Sequence, residues 1–118
     1  MIEIWTNVKG NSNYEVSSLG RIRNKKGNLL RPEETKKGYL RVNLTNNGKT
    51  KHYKVHRLVA LAFIPNKNNL PQINHKDENK KNNRVGNLEW CDNWYNSHYG
   101  SKSKIHEGQV KLFDYIGE

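Results

Sequence analysis

The chain has 118 residues, 21 Lys and Arg against 11 Asp and Glu, and a formal charge of +10. Hydrophobic residues make up only 33%, which suits one domain with a modest core. The longest apolar run, Leu58 to Ile64, has seven residues where a spanning helix needs about 20, so no membrane segment is expected. The opening lacks a charged-then-apolar leader, and a cytoplasmic location is expected. The single Cys91 excludes an internal disulfide framework and a multi-cysteine zinc finger.

The charge is concentrated. Residues 21–67 hold thirteen Lys and Arg, opposed within that stretch only by Glu33 and Glu34, and so carry +11. Such a surface matches a phosphate-rich partner, with affinity that falls steeply with salt. A solubilising face is the plainer alternative. The eighteen Asn residues decide nothing alone, since Asn favours turns as well as base edges and phosphates.

In chain order, Ile2–Trp5 and Tyr14–Ser17 read as short strands around a turn at Gly10, Asn11 and Asn13. Gly20–Arg23 alternates basic and apolar residues before a turn at Asn24–Asn28, and Leu29–Arg31 ends at Pro32. Tyr39–Leu44 alternates cleanly into Asn46-Asn47-Gly48, and Lys51–Val55 returns as the second arm of a hairpin. Leu40, Val42 and Leu44 then share one face and Arg41 and Asn43 the other, so the basic residues lie on a solvent-facing ribbon. From Val55 the period becomes helical through Phe63, stopped by Pro65.

Beyond Pro71, Gln72–His75 reads as a strand, Asp77–Asn83 as a polar loop and Leu88–Cys91 as the returning strand. Asp92 suits the N-cap of a helix carrying Asn96 and His98, with Gly100 as its stop. Ser101–Lys104 reads as a linker. Val110–Ile116 reads as a strand with no evident partner, so a further C-terminal region is expected.

A strand, loop, strand and helix in this order bring Asn74, His75, Asn87 and Asn96 together. A hard cation such as Mg2+ takes oxygen ligands, which Asn carbonyls offer, and keeps several waters. Neutral His75, with an ordinary pKa of about 6.5, suits proton abstraction from a water attacking a phosphodiester. Each residue also has a plainer reading: His75 as a strand-end histidine, Asn74 and Asn87 as turn formers, Asn96 as a helix-surface amide. Trp90, Tyr39 and Phe63 read as core residues. His56 and Arg57 open the first helix in a packing or phosphate-contacting position.

Several motifs in order carry a resemblance. Val55-His56-Arg57-Leu58-Val59-Ala60, Phe63-Ile64-Pro65-Asn66, Ile73-Asn74-His75-Lys76-Asp77, Asn79-Lys80-Lys81-Asn82-Asn83 and Asn87-Leu88-Glu89-Trp90 resemble the HNH endonucleases, in particular the phage and intron-encoded homing type. Glu3-Ile4-Trp5, Tyr14-Glu15-Val16-Ser17, Leu19-Gly20-Arg21-Ile22 and Gly38-Tyr39-Leu40-Arg41-Val42 resemble the nuclease-associated modular DNA-binding motif that precedes the HNH unit there. The resemblance covers residues 3 to about 98.

It implies an α+β fold, with a basic antiparallel ribbon and short helix followed by a ββα-metal unit. The implied divisions are a DNA-binding β region over 1–54, a nuclease unit over 55–100 and a linker with the start of a further region over 101–118. It implies metal-dependent cleavage of double-stranded DNA by a monomer that nicks one strand, in a host cytoplasm if phage-encoded. His75 falls on the general base, Asn87 on the residue that fixes the loop and orients that base, and Asn74 and Asn96 on metal-ligand positions. Mg2+ is the implied metal, with Mn2+ as a substitute and His98 as an auxiliary ligand. Two neutral amides leave the cation without a protein charge, so weak metal affinity in the absence of DNA is implied. Arg21, Arg23, Lys25, Lys26, Lys37, Arg41, Lys51, Lys54 and Arg57 are the expected DNA contacts, and Lys76, Lys80, Lys81 and Arg84 flank the loop as a group. The alternatives are a DNA-binding module without catalysis and, more distantly, an RNA-directed protein.

Overall fold

A computed structural model describes residues 2–92. Three antiparallel sheets surround one helix. The first contains β1 (Trp5–Val8), β2 (Asn11–Ser17) and β3 (Ile22–Asn24) in sequential order. The second contains β4 (Glu33–Glu34), β5 (Leu40–Asn46) and β6 (Lys49–Lys54). Helix α1 (Val55–Phe63) follows directly, and β7 (Gln72–His75) pairs with β8 (Leu88–Cys91) after a 3-10 turn over Val85–Asn87.

The alternation read in the sequence sets the second sheet. Val42 and Leu44 are buried and Leu40 is half-buried, while Asn43 is exposed. The β5–β6 turn has Asn47 and Gly48 at φ 55° and 77°, the pair of positive values that a two-residue hairpin turn matching strand twist requires. Several boundaries move: β2 opens at Asn11 rather than Tyr14, β5 runs on to Asn46, and β6 opens at Lys49 rather than Lys51. The first strand starts at Trp5 rather than Ile2, because the Ile4 amide and carbonyl are taken by the Oγ and N–H of Ser18, outside any ladder. Val55 leaves the hairpin and opens the helix, and β4 is a short addition paired through Glu33 with Arg41.

Helix α1 is buried at Val55, His56, Leu58, Val59 and Ala60, because the sheets close on it from several sides. It ends where the Ile64 N–H bonds to the Ala60 carbonyl at 3.0 Å, one residue before Pro65 removes the next donor. Trp90 Nε1 donates to the Ile64 carbonyl at 2.9 Å, tying β8 to the helix end. Val16 and Ile22 of the first sheet, Val42 and Leu44 of the second, Leu58 and Val59 of the helix, and Ile73, Leu88 and Trp90 of the last pair form one continuous cluster. Each buried Val or Leu contributes about 1.5–3 kcal/mol of transfer free energy. The helix expected after Asp92, with Asn96 and His98, and the strand expected over 110–116 lie outside the described residues.

Candidate active site

The β7–β8 register fixes which side chains meet. Ile73 pairs with Trp90, Asn74 with Glu89 and His75 with Leu88, and strand alternation puts Ile73, His75, Trp90 and Leu88 on one face and Asn74 and Glu89 on the other. His75 ends β7 with 5% of its surface exposed. Its Nε2 lies 2.7 Å from Asn83 Oδ1. An amide oxygen only accepts, so Nε2 carries the proton and the lone pair is left on Nδ1. Burial lowers the His75 pKa, against the raising influence of the Asn83 bond, and favours the neutral imidazole that a general base requires.

Asn87 acts on the loop. Its Nδ2 donates to Asp77 Oδ1 at 2.9 Å and to the Asn82 carbonyl at 2.8 Å, and its Oδ1 accepts from the Asp77 N–H at 3.1 Å. The Asn87 carbonyl accepts from the Lys76 N–H at 2.8 Å. Asp77 also accepts from the Asn82 side chain and the Asn79 N–H, and these bonds hold its carboxyl down at about 2. Asn87 therefore clamps the two ends of the loop, and the bond to the imidazole comes from Asn83, which lies inside it. Spacing gave Asn83 no distinction within the run Asn82-Asn83.

A second group from distant sequence reaches the same histidine. Tyr39 stacks on His56 with ring centroids 5.1 Å apart and planes 24° apart, and His56 lies 5.1 Å from His75. Tyr39 is half-buried and lies 6.1 Å from His75, so it belongs to the wall of the site rather than to the core that the sequence suggests. Lys54 and Lys80 hold their ammonium groups 4.8 and 4.7 Å from the Tyr39 centroid, a cation–π placement. Lys80 Nζ also donates to the Lys37 carbonyl at 2.7 Å. His56 is buried with an unpartnered Nδ1. Burial first, then the nearby His75, Arg57 and Lys54, lower its pKa to about 3.

Asn74 is 5% exposed, and its Nδ2 donates to Glu89 Oε2 at 2.9 Å. The bond directs the amide nitrogen toward the carboxylate and leaves Oδ1 as the other end of the same amide. An amide oxygen turned away from the carboxylate that holds its nitrogen is a donor that suits a hard, largely hydrated cation such as Mg2+. Among the described residues no three His, Cys, Asp or Glu side chains cluster. Asn96 and His98, the other expected ligands, lie outside the described residues.

The basic ribbon is partly neutralised by Glu3 and Glu15 from before it and by Glu33 within it. Arg21 makes a two-pronged pair with Glu3 at 2.5 and 2.9 Å, Arg23 meets Glu15 at 2.8 Å, and Arg41 meets Glu33 at 2.7 Å. Lys25 bonds Asn7 Oδ1 at 2.6 Å and lies 3.8 Å from Glu15. Arg21 and Arg23 also flank the Trp5 ring, at 5.6 and 3.9 Å. Arg57 donates to the Pro71 carbonyl at 3.1 Å. Lys26, Lys37, Lys51 and Lys54 are exposed. Lys51 stands opposite Leu44, so alternation sets it on the Leu44 face of the hairpin at an open edge, away from Arg41. The basic groups thus occupy both faces of the ribbon.

A strand-end histidine bonded to an asparagine of an asparagine-locked loop between paired strands is the arrangement expected of the strand–loop–strand part of an HNH-type unit. Residues 3–45 match the NUMOD4 motif. An uncharacterized HNH endonuclease of Acanthamoeba polyphaga mimivirus is 39% identical over 110 residues, covering 91% of this chain and 33% of that protein. DNA endonuclease I-HmuI of Bacillus phage SP01 is 40% identical over 88 residues, covering 73% of this chain and 51% of the enzyme. The solved structure of the HNH homing endonuclease I-HmuI, described for its DNA binding and cleavage, superimposes with a TM-score of 0.73 at 34% identity over 88% of this chain and 66% of that one. These matches make the chain a relative of the HNH endonucleases, with a NUMOD4 motif over residues 3–45. It spans about half or less of the length of these two curated relatives. No helix among the described residues is long and apolar enough to cross a membrane.

Proposed function

We propose that the protein is a divalent-metal-dependent DNA endonuclease of the homing type, which nicks one strand of duplex DNA in the host cytoplasm. The observation that carries this reading is the 2.7 Å bond between His75 Nε2 and Asn83 Oδ1, which leaves Nδ1 as the proton acceptor. His75 takes a proton from water onto Nδ1. The resulting hydroxide attacks phosphorus, the P–O3′ bond breaks, and the departing O3′ takes a proton from solvent, so the products carry a 5′-phosphate and a 3′-hydroxyl. Asn74 through Oδ1, with Asn96, would hold Mg2+ or Mn2+. A divalent cation bound there supplies charge neutralisation at the phosphate and at the departing oxygen. Lys54 and Lys80, held over Tyr39, draw the scissile phosphate to the histidine. One site in a monomer cuts one strand per encounter.

The exposed lysines and the partly paired arginines of the first two sheets bind the duplex backbone and fix its register without reading sequence. Relatedness to I-HmuI supports DNA as the substrate. The test is incubation of supercoiled plasmid with Mg2+, Mn2+ or EDTA. Conversion to open circles with either metal and none in EDTA is the expected result. Plasmid that is shifted on a gel yet stays supercoiled with both metals would instead make the chain a DNA-binding module, for which the neutral amide of Asn74 would be the first cause to pursue.

A further inference from the structure

The reading of Asn74 as a metal ligand poses a chemical problem that the neighbouring strand resolves. A neutral amide is a weak ligand for a dication, and either its oxygen or its nitrogen can face the metal. Only one orientation binds. Glu89 stands directly across the β7–β8 ladder from Asn74, on the same face, with Oε2 2.9 Å from Asn74 Nδ2. A carboxylate is acceptor-only, so it fixes the amide with nitrogen toward Glu89 and oxygen away from it. It also polarises the amide, pulling the N–H protons and raising electron density on Oδ1, and it places a negative charge one residue from the cation. Outer-shell carboxylates do this for metal-bound histidines, where their loss costs about 10–100-fold in affinity.

We infer that Glu89 is the positioning residue of the metal site: it orients and polarises Asn74, and so supplies, from one bond away, the negative charge that an aspartate at position 74 would supply directly. This rests on the reading of the site as metal-dependent. A pair that only stiffened the sheet would add to folding stability and nothing to the metal.

Mn2+ is the probe, titrated into the full-length protein at low salt. Two signals are followed: the free Mn2+ electron paramagnetic resonance signal, and broadening of the Asn74 side-chain amide resonance. The variants are Glu89→Gln, which keeps an acceptor oxygen but removes the charge, and Glu89→Leu, which removes both. The wild type is expected to bind Mn2+ with broadening centred on Asn74. Glu89→Gln is expected to weaken binding about tenfold, and Glu89→Leu further, with urea midpoints confirming that both variants are folded. Wild-type binding at Asn74 that is equal in folded Glu89→Gln and Glu89→Leu overturns the inference and leaves the metal reading standing. A wild type with no broadening at Asn74 at any Mn2+ concentration overturns both.

Discussion

Gly20 packs so closely against Asn83 that a Cβ at position 20 would lie 3.0 Å from both Asn83 Cβ and the Asn83 carbonyl oxygen. Asn83 is the residue that bonds His75 Nε2, so the turn between the second and third strands braces the candidate base from behind. The Val85 N–H adds a bond to the Ser18 carbonyl at 3.0 Å. Gly20 also sits at φ +91°, a conformation that side chains disfavour.

Gly20→Ala is therefore expected to lower stability by about 1–3 kcal/mol and to slow nicking beyond what the fraction folded explains, because Asn83 must shift. Asn83→Leu, which leaves the backbone alone, is expected to slow single-turnover nicking about 100-fold through loss of imidazole orientation. Urea denaturation and a plasmid time course on the same preparations check both. Unchanged nicking in Asn83→Leu would show that the ring needs no such partner.

The acid limb of the pH–rate profile reports His75. Burial lowers its pKa, and the base works only when neutral, so activity is expected to persist below the ordinary histidine value near 6.5. A limb centred above 6.5 would contradict this environment for the ring.

His56 gives a stability signal of its own. In the folded protein it protonates only near pH 3, whereas in the unfolded chain it does so near 6.5. Below 6.5 the unfolded state binds the extra proton, so stability is lost as pH falls from 6.5 toward 3, by up to about 1.4 kcal/mol per pH unit. The carboxylates of Glu3 and Asp77 are both held near 2, and their contributions fade only below their ordinary values near 4, outside a comparison of pH 7 with pH 5. His56→Phe keeps a ring against Tyr39 and removes the unpartnered Nδ1. Urea unfolding is expected to show a smaller drop between pH 7 and pH 5 in the variant than in the wild type.

Ion pairing ranks the expected DNA contacts. Glu3 already neutralises Arg21, whereas Lys51 projects from a strand that is exposed throughout. Lys51→Ala is expected to reduce the slope of log affinity against log salt by about 0.9, Arg21→Ala by less, and Glu3→Gln to tighten binding. Fluorescence anisotropy across a salt series measures all three. An equal loss in the two cation variants would mean that Glu3 releases Arg21 on binding.

The sequence carried the parts of the fold that follow from local patterning. Alternation gave β5, the change of period at Val55 with the stop at Pro65 gave the helix, and Gln72–His75 and Leu88–Cys91 were legible as bounded apolar-polar runs. The candidate base and the loop-fixing Asn87 came from motif order. What remained hidden depends on long-range contact. Glu3 and Glu15 meet the basic stretch only after the first three strands pair. Tyr39 meets His56 and His75 only after the second sheet folds onto the helix. Asn83 is one Asn in an Asn-rich loop until Gly20 and His75 enclose it, and Glu89 meets Asn74 through the β7–β8 register.

Single-turnover nicking of supercoiled plasmid in Mg2+, compared between the wild type and His75→Ala, tests whether His75 is the base of a phosphodiester-cleaving site. The expected result is metal-dependent open circles from the wild type and a rate about 100- to 10,000-fold lower for the variant, with DNA binding retained. Equal nicking by the two proteins would contradict the account.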